Sequence, residues 1–162
     1  MKRIFCLILA AALLLCGCGA KEAQQPAPMV SMYDLQKAML AAEPDLPEMK
    51  TVSSSDENAA ELFSYLSSAS YDKVEGFFLA YAADGTAYEI AVVALKDAAD
   101  VPAMTESLKA HLNDRVLLYK NYAPEQLKRA ERAEILSNGR YVALVMCDDR
   151  AAVQAAFEAG IR

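Results

Sequence analysis

Gly76-Phe77-Phe78-Leu79-Ala80-Tyr81-Ala82-Ala83-Asp84-Gly85-Thr86-Ala87-Tyr88-Glu89-Ile90-Ala91-Val92-Val93-Ala94-Leu95 is the stretch on which the fold turns. Two apolar runs, 76–82 and 88–95, flank Asp84-Gly85. Glycine in such a pair tolerates the positive φ of a tight turn, so the stretch reads as a β-hairpin. Downstream, 133–136 and 140–147 flank Asn138-Gly139 and repeat the signal. Phe77-Phe78 and the run 142–146 are apolar on both faces of a strand. Such a sheet needs cover on its second face as well as its first.

Working outward, Val101, Met104, Leu108, Leu112 and Tyr119 recur at helical spacing over 99–119. Pro124 stops or restarts that helix, and a short helix covers 125–130. Asp148 or Asp149 caps a last helix that carries Val153, Ala156 and Phe157. The two stretches strand, Gly turn, strand, Asp, helix read as copies of one ββα unit. Upstream, Ser31 is an N-cap for a helix with Met32, Leu35, Met39 and Leu40 on one side, with Asp34 in its first turn. That helix ends before Pro44; 49–52 is a short strand. Ser54 and Glu57 have capping-box spacing ahead of a helix burying Ala59, Leu62, Phe63 and Leu66. The fold class is therefore α+β: a mostly antiparallel sheet of four or five strands with helices packed on one face, the other covered by the N-terminal helices or by another molecule.

The chain has 162 residues, 55% hydrophobic and 23% charged, which fits one domain plus processing segments. Its formal net charge is −6, and it becomes more negative without Lys2 and Arg3. That balance argues against nucleic acid and against general adhesion to anionic lipid. Met1-Lys2-Arg3 is a short basic start, 4–15 an apolar run, and Gly17-Cys18-Gly19 a small-residue site. This is the order of a secretory signal peptide, and the run is shorter than the roughly 20 residues of a spanning helix. Leu15-Cys16-Gly17-Cys18 resembles the lipobox of bacterial lipoproteins. The resemblance implies cleavage between Gly17 and Cys18 and a diacylglyceryl thioether on Cys18. Cys16 is a poorer candidate, because the bulky Leu15 precedes it. Two acyl chains would bury on the order of 20 kcal/mol of hydrocarbon, a durable anchor. The organisation that follows is 1–17 signal peptide, 18–30 lipidated Cys18 with a polar, Pro-containing tether, and 31–162 a single domain.

The stretch 88–149 resembles an uncharacterised domain-of-unknown-function family of small lipoproteins, found mainly in Gram-positive bacteria. The residues carrying the resemblance are Tyr88-Glu89-Ile90-Ala91-Val92, Asp97, Arg115, Tyr122-Ala123-Pro124-Glu125, Ala133-Glu134-Ile135, Asn138-Gly139-Arg140-Tyr141, Val145 and Asp148-Asp149. It supports the lipoprotein reading and the domain limits, and implies no activity.

No catalytic constellation stands out. His111 is the single histidine, beside the apolar stripe of the long helix, with no carboxylate partner at ligand spacing, and reads as structural or surface. There is no G-x-S-x-G elbow, no glycine-rich phosphate loop and no C-x-x-C. Cys147, alone in the domain, reads as a small buried hydrophobe. Asp148-Asp149 reads as helix capping. Arg115, Tyr122 and Tyr141 are the candidates for contact with a ligand or with the domain's own structure. The expected function is a non-enzymatic lipoprotein on the extracytoplasmic face of the cell membrane, held by lipid on Cys18, with a domain for binding or scaffolding. No cofactor or metal is called for; the partners are the membrane and an envelope protein or small ligand. The alternatives are a substrate-binding accessory of a transporter and an envelope enzyme. A deep pocket with convergent polar groups would favour the transporter accessory, and a cleft holding Arg115 or His111 beside carboxylates would favour the enzyme.

Overall fold

Two strands are sealed along their whole length: β3 (Glu89–Leu95) and β5 (Tyr141–Met146). In a computed structural model that describes residues 30–162, they pair antiparallel at the centre of a five-stranded sheet. β1 (Met49–Ser53) and β2 (Val74–Ala82) extend it on one side, β4 (Glu134–Asn138) on the other, in the order β1-β2-β3-β5-β4. Every pairing is antiparallel. The hairpin turns are where the sequence puts them, with Gly85 at φ +80° and Gly139 at φ +57°. Those are conformations that side chains with a Cβ rarely take.

Because alternate strand residues point to opposite faces, register fixes which layer each one joins. Phe78, Val92 and Ala143 are aligned and face one way, with Ile90 and Val145. There α1 (Met32–Ala41) and α5 (Arg150–Gly160) supply Leu35, Met39, Val153 and Phe157. Phe77, Val93 and Val142 face the other way, with Leu79, Ala91 and Leu144. There α2 (Ala59–Phe63) and α3 (Val101–Tyr122) supply Ala59, Phe63, Met104 and Leu108. The helices thus divide between the two faces, and the C-terminal α5 joins the N-terminal α1 on one of them. The chain covers both faces itself, because both are apolar.

The ββα units recur in connectivity, since β2-β3-α3 and β4-β5-α5 follow the same order. Their helices lie on opposite faces. A rotation exchanging two antiparallel neighbours keeps each face where it is, so no rotational pseudo-symmetry relates the units.

Local chemistry sets the boundaries. Ser31 caps α1 by accepting from the Asp34 N–H at 3.2 Å. Asp149, not Asp148, caps α5 by accepting from Ala152 N–H at 3.1 Å. The capping box at Ser54 and Glu57 does not form: the N-cap of α2 is Asn58, and Ser54 Oγ instead accepts from Phe77 N–H at 3.3 Å. Pro124 opens α4 (Pro124–Glu131) immediately after α3. Among the described residues no helix is long and apolar enough to cross a membrane. Gly17, Cys18 and the whole leader lie outside the described residues.

Candidate functional site

Glu89 begins the central strand and is 2% exposed. An isolated carboxylate there would be expensive, since the effective desolvation penalty is several kcal/mol per ion. The alternation that sends Ala91 and Val93 under α3 sends Glu89 there too. α3 meets it with His111 and Arg115, one helical turn apart. His111 Nε2 lies 2.5 Å from Glu89 Oε1, and Arg115 Nε lies 3.2 Å from Oε2.

The arginine is itself held from behind. Its Nη2 donates to the Tyr119 hydroxyl at 2.8 Å, and that hydroxyl donates to the Thr86 carbonyl at 3.1 Å. Its guanidinium carbon is 5.2 Å from the centre of the Tyr119 ring. Burial pushes the Tyr119 phenol above its ordinary pKa, which keeps the hydroxyl a donor. Arg115 Nε is buried and makes no aligned hydrogen bond among the described residues, so the Glu89 contact at that atom is charge attraction. Nη1 has no hydrogen-bond partner among the described residues.

These groups floor a cleft of about 320 Å³ lined by Tyr65, Leu79, Tyr81, Glu89, His111 and Arg115. Tyr65, 61% exposed, stands at its mouth. Tyr81 is the register neighbour of Glu89 on β2. The cleft therefore combines an apolar wall of two phenol rings and Leu79 with a fixed ionic floor. Such a combination of a concave apolar surface and a few oriented polar groups suits recognition of a small molecule. A carboxylate that orients an imidazole also suits proton transfer. Among the described residues no serine, threonine or cysteine lines the cleft to act as an acyl-accepting nucleophile. Among the described residues no three His, Cys, Asp or Glu side chains converge as for a metal ion.

Of the sequence candidates, Arg115 is in the cleft. Tyr141 is buried at the opposite layer, where its hydroxyl accepts from Val30 N–H at 3.3 Å. Tyr122 stands 81% exposed at the end of α3, outside the cleft lining. His111 does have a carboxylate partner, contrary to the reading from spacing along the helix. That partner is 22 residues upstream on a strand, a contact that only the packing of α3 on the sheet creates. The available signal was Glu89 itself, a lone charge in an otherwise apolar strand. Cys147 is fully buried, and burial, with Glu43 beside it, pushes its thiol up to about 12. It is inert packing, as the sequence suggests.

A family model described as a domain of unknown function (DUF4358) matches residues 45–147. That span runs from β1 to the end of β5 and contains every described residue lining the cleft. No curated protein matches the chain. No solved structure matches it either.

Proposed function

We propose, for a chain that belongs to the DUF4358 family, that it is a lipid-anchored envelope protein whose cleft binds a small molecule with a flat apolar body and a carboxylate. The observation that carries the ligand reading is the convergence of Glu89, His111 and Arg115 on one cleft beside Tyr65 and Tyr81. Glu89 occupies one side of the Arg115 guanidinium and Tyr119 another. The Nη1 arm remains for an incoming oxyanion, which a planar guanidinium holds well. The tyrosine rings and Leu79 accept the apolar body. Convergent polar groups in a concave site support capture of a small ligand, and with it a transporter accessory, over pure scaffolding.

The anchor reading rests on Leu15-Cys16-Gly17-Cys18 and the basic, apolar, small order before it. Mass spectrometry of the native protein is expected to find diacylglyceryl Cys18 at the N-terminus. Unmodified Cys18 inside an intact leader contradicts it. For the cleft, benzoate is the probe, titrated calorimetrically into the full chain in nonionic detergent. Saturable binding that Arg115→Ala weakens at least tenfold is expected; binding indifferent to Arg115→Ala refutes the site. The Glu89-oriented His111 favours a second reading, general acid–base catalysis on the bound molecule. It is distinguished by consumption of the ligand, which binding alone does not produce.

A further inference from the structure

A second hollow, of about 220 Å³, lies beside α4 and the start of α5. Lys128, Arg129, Arg132 and Arg150 line it, facing two carboxylates, Glu125 and Asp148. Glu134, outside the lining, pairs with Arg150 at 3.2 Å. Positive charge thus exceeds negative in this one place, in a chain of net charge −6. The overall charge governs the field far from the surface; an ion within the hollow responds to these side chains first.

The cations differ in how they are held. Arg129 is rigid: Nε and Nη2 donate to the two oxygens of Asp148 at 2.9 and 2.7 Å, and Nη1 to Gln126 at 2.8 Å. Its guanidinium lies 3.9 Å from the centre of the Tyr88 ring, whose hydroxyl also donates to Asp148. This clamp leaves one hydrogen on each terminal nitrogen of Arg129 without a described acceptor. Lys128 in α4 and Arg132, its C-cap in helical conformation, are four apart and hence on one side, and have no ion-pair partner among the described residues. Arg150 spends Nη1 on the Cys147 carbonyl and keeps Nη2 unengaged among the described residues. The result is a set of donors from several directions around one small volume, anchored by a fixed guanidinium.

We propose that this hollow is a phosphoryl-oxyanion site. A tetrahedral anion with several terminal oxygens accepts from donors on several sides at once, which a planar carboxylate does less well. Arginine forks supply directed pairs and Lys128 a mobile point charge. The phosphoryl group comes from a soluble phosphate compound or from a phospholipid headgroup. The site is separate from the cleft over Glu89, whose lining shares no residue with it.

Inorganic phosphate titrated calorimetrically into the full chain in nonionic detergent tests this. Saturable binding is expected, weakened at least tenfold in the double variant Lys128→Ala/Arg132→Ala and unchanged in Lys37→Ala, which removes an exposed cation outside the hollow. The double variant removes no described ion pair, so its urea midpoint should match the parent and confirm that folding is intact. Adding phosphatidylglycerol to the micelles separates the sources: displacement of phosphate identifies a headgroup-accessible site, and its failure identifies a site for soluble phosphates. Absence of any phosphate binding, or binding that survives the double substitution, overturns the proposal.

Discussion

Glu89 and Asp148 are built from the same parts and live in opposite circumstances. Each is a carboxylate held by an arginine, and each arginine lies against a tyrosine ring: Arg115 on Tyr119, Arg129 on Tyr88. Their strands pair, and each sits at the same end of the sheet, Glu89 at the start of β3 and Asp148 just past β5. The Glu89 side chain is 3% exposed, however, and that of Asp148 is 57% exposed. Asp148 has the better arginine geometry, two directed hydrogen bonds from one guanidinium, whereas Arg115 gives Glu89 one ion contact without alignment and His111 supplies the hydrogen bond. Geometry alone would rank Asp148 first. Burial reverses the ranking, because the Glu89 carboxylate is sealed from water and depends on its partners, although Arg115 keeps 27% of its side chain exposed.

The largest expected effect follows from that reversal. Glu89→Ala leaves Arg115 without its carboxylate and His111 without its acceptor, and should destabilise the domain by about 3 kcal/mol in urea unfolding, the low end for a broken buried pair because Arg115 keeps contact with the cleft. A loss below about 1 kcal/mol, the size typical of an exposed pair, would place Glu89 in effective contact with solvent and dissolve the contrast. Next, Tyr119→Phe removes the acceptor of Arg115 Nη2 and the donor to Thr86. A loss of about 1–3 kcal/mol is expected for the buried groups left unsatisfied.

Asp148 should contribute less and show it in acid. The Arg129 hydrogen bonds hold its carboxyl well below the usual carboxylate value, at about 2. A depressed folded value gives stability that is complete above about pH 4 and disappears as pH falls toward 2. Solvent screening at this exposed site limits the whole contribution to about 1 kcal/mol. Unfolding of Asp148→Asn, followed from pH 7 to pH 2, should therefore run about that far below the parent at neutral pH and meet it at the acid end. Parallel curves would mean that the clamp carries no protonation-linked stability. The smallest effect concerns Cys147: a thiol-specific reagent should leave it unmodified in the folded chain and react fully in urea.

The same contrast explains what the sequence disclosed. Features settled within a few residues were legible: the glycine turns at Gly85 and Gly139, the Ser31 cap, the break at Pro124. The apolar doublet Phe77-Phe78 already implied two covered faces, and the structure adds that α5 joins α1 on one of them. Features settled by packing were hidden. Ser54 had the local partner Glu57 at capping distance, yet bonds to Phe77, 23 residues away. Asp148 and Asp149 were interchangeable as caps until Arg129, 19 residues upstream of Asp148, claimed the first of them. Arg115 was legible as a candidate from its place beside an apolar stripe, but its partner Glu89 lies on a strand that a helical repeat cannot reveal. A charged residue inside a run of strand apolars was the one local sign of the site.

His111 gives the most direct reading of the cleft, because it is the only histidine and contributes a single imidazole Cε1–H signal to the NMR spectrum. Benzoate added to the full chain should shift that signal progressively and saturably, and Arg115→Ala should abolish the shift. An imidazole signal that stays in place through millimolar benzoate, while the protein remains folded, would contradict the assignment of a carboxylate-binding cleft over Glu89.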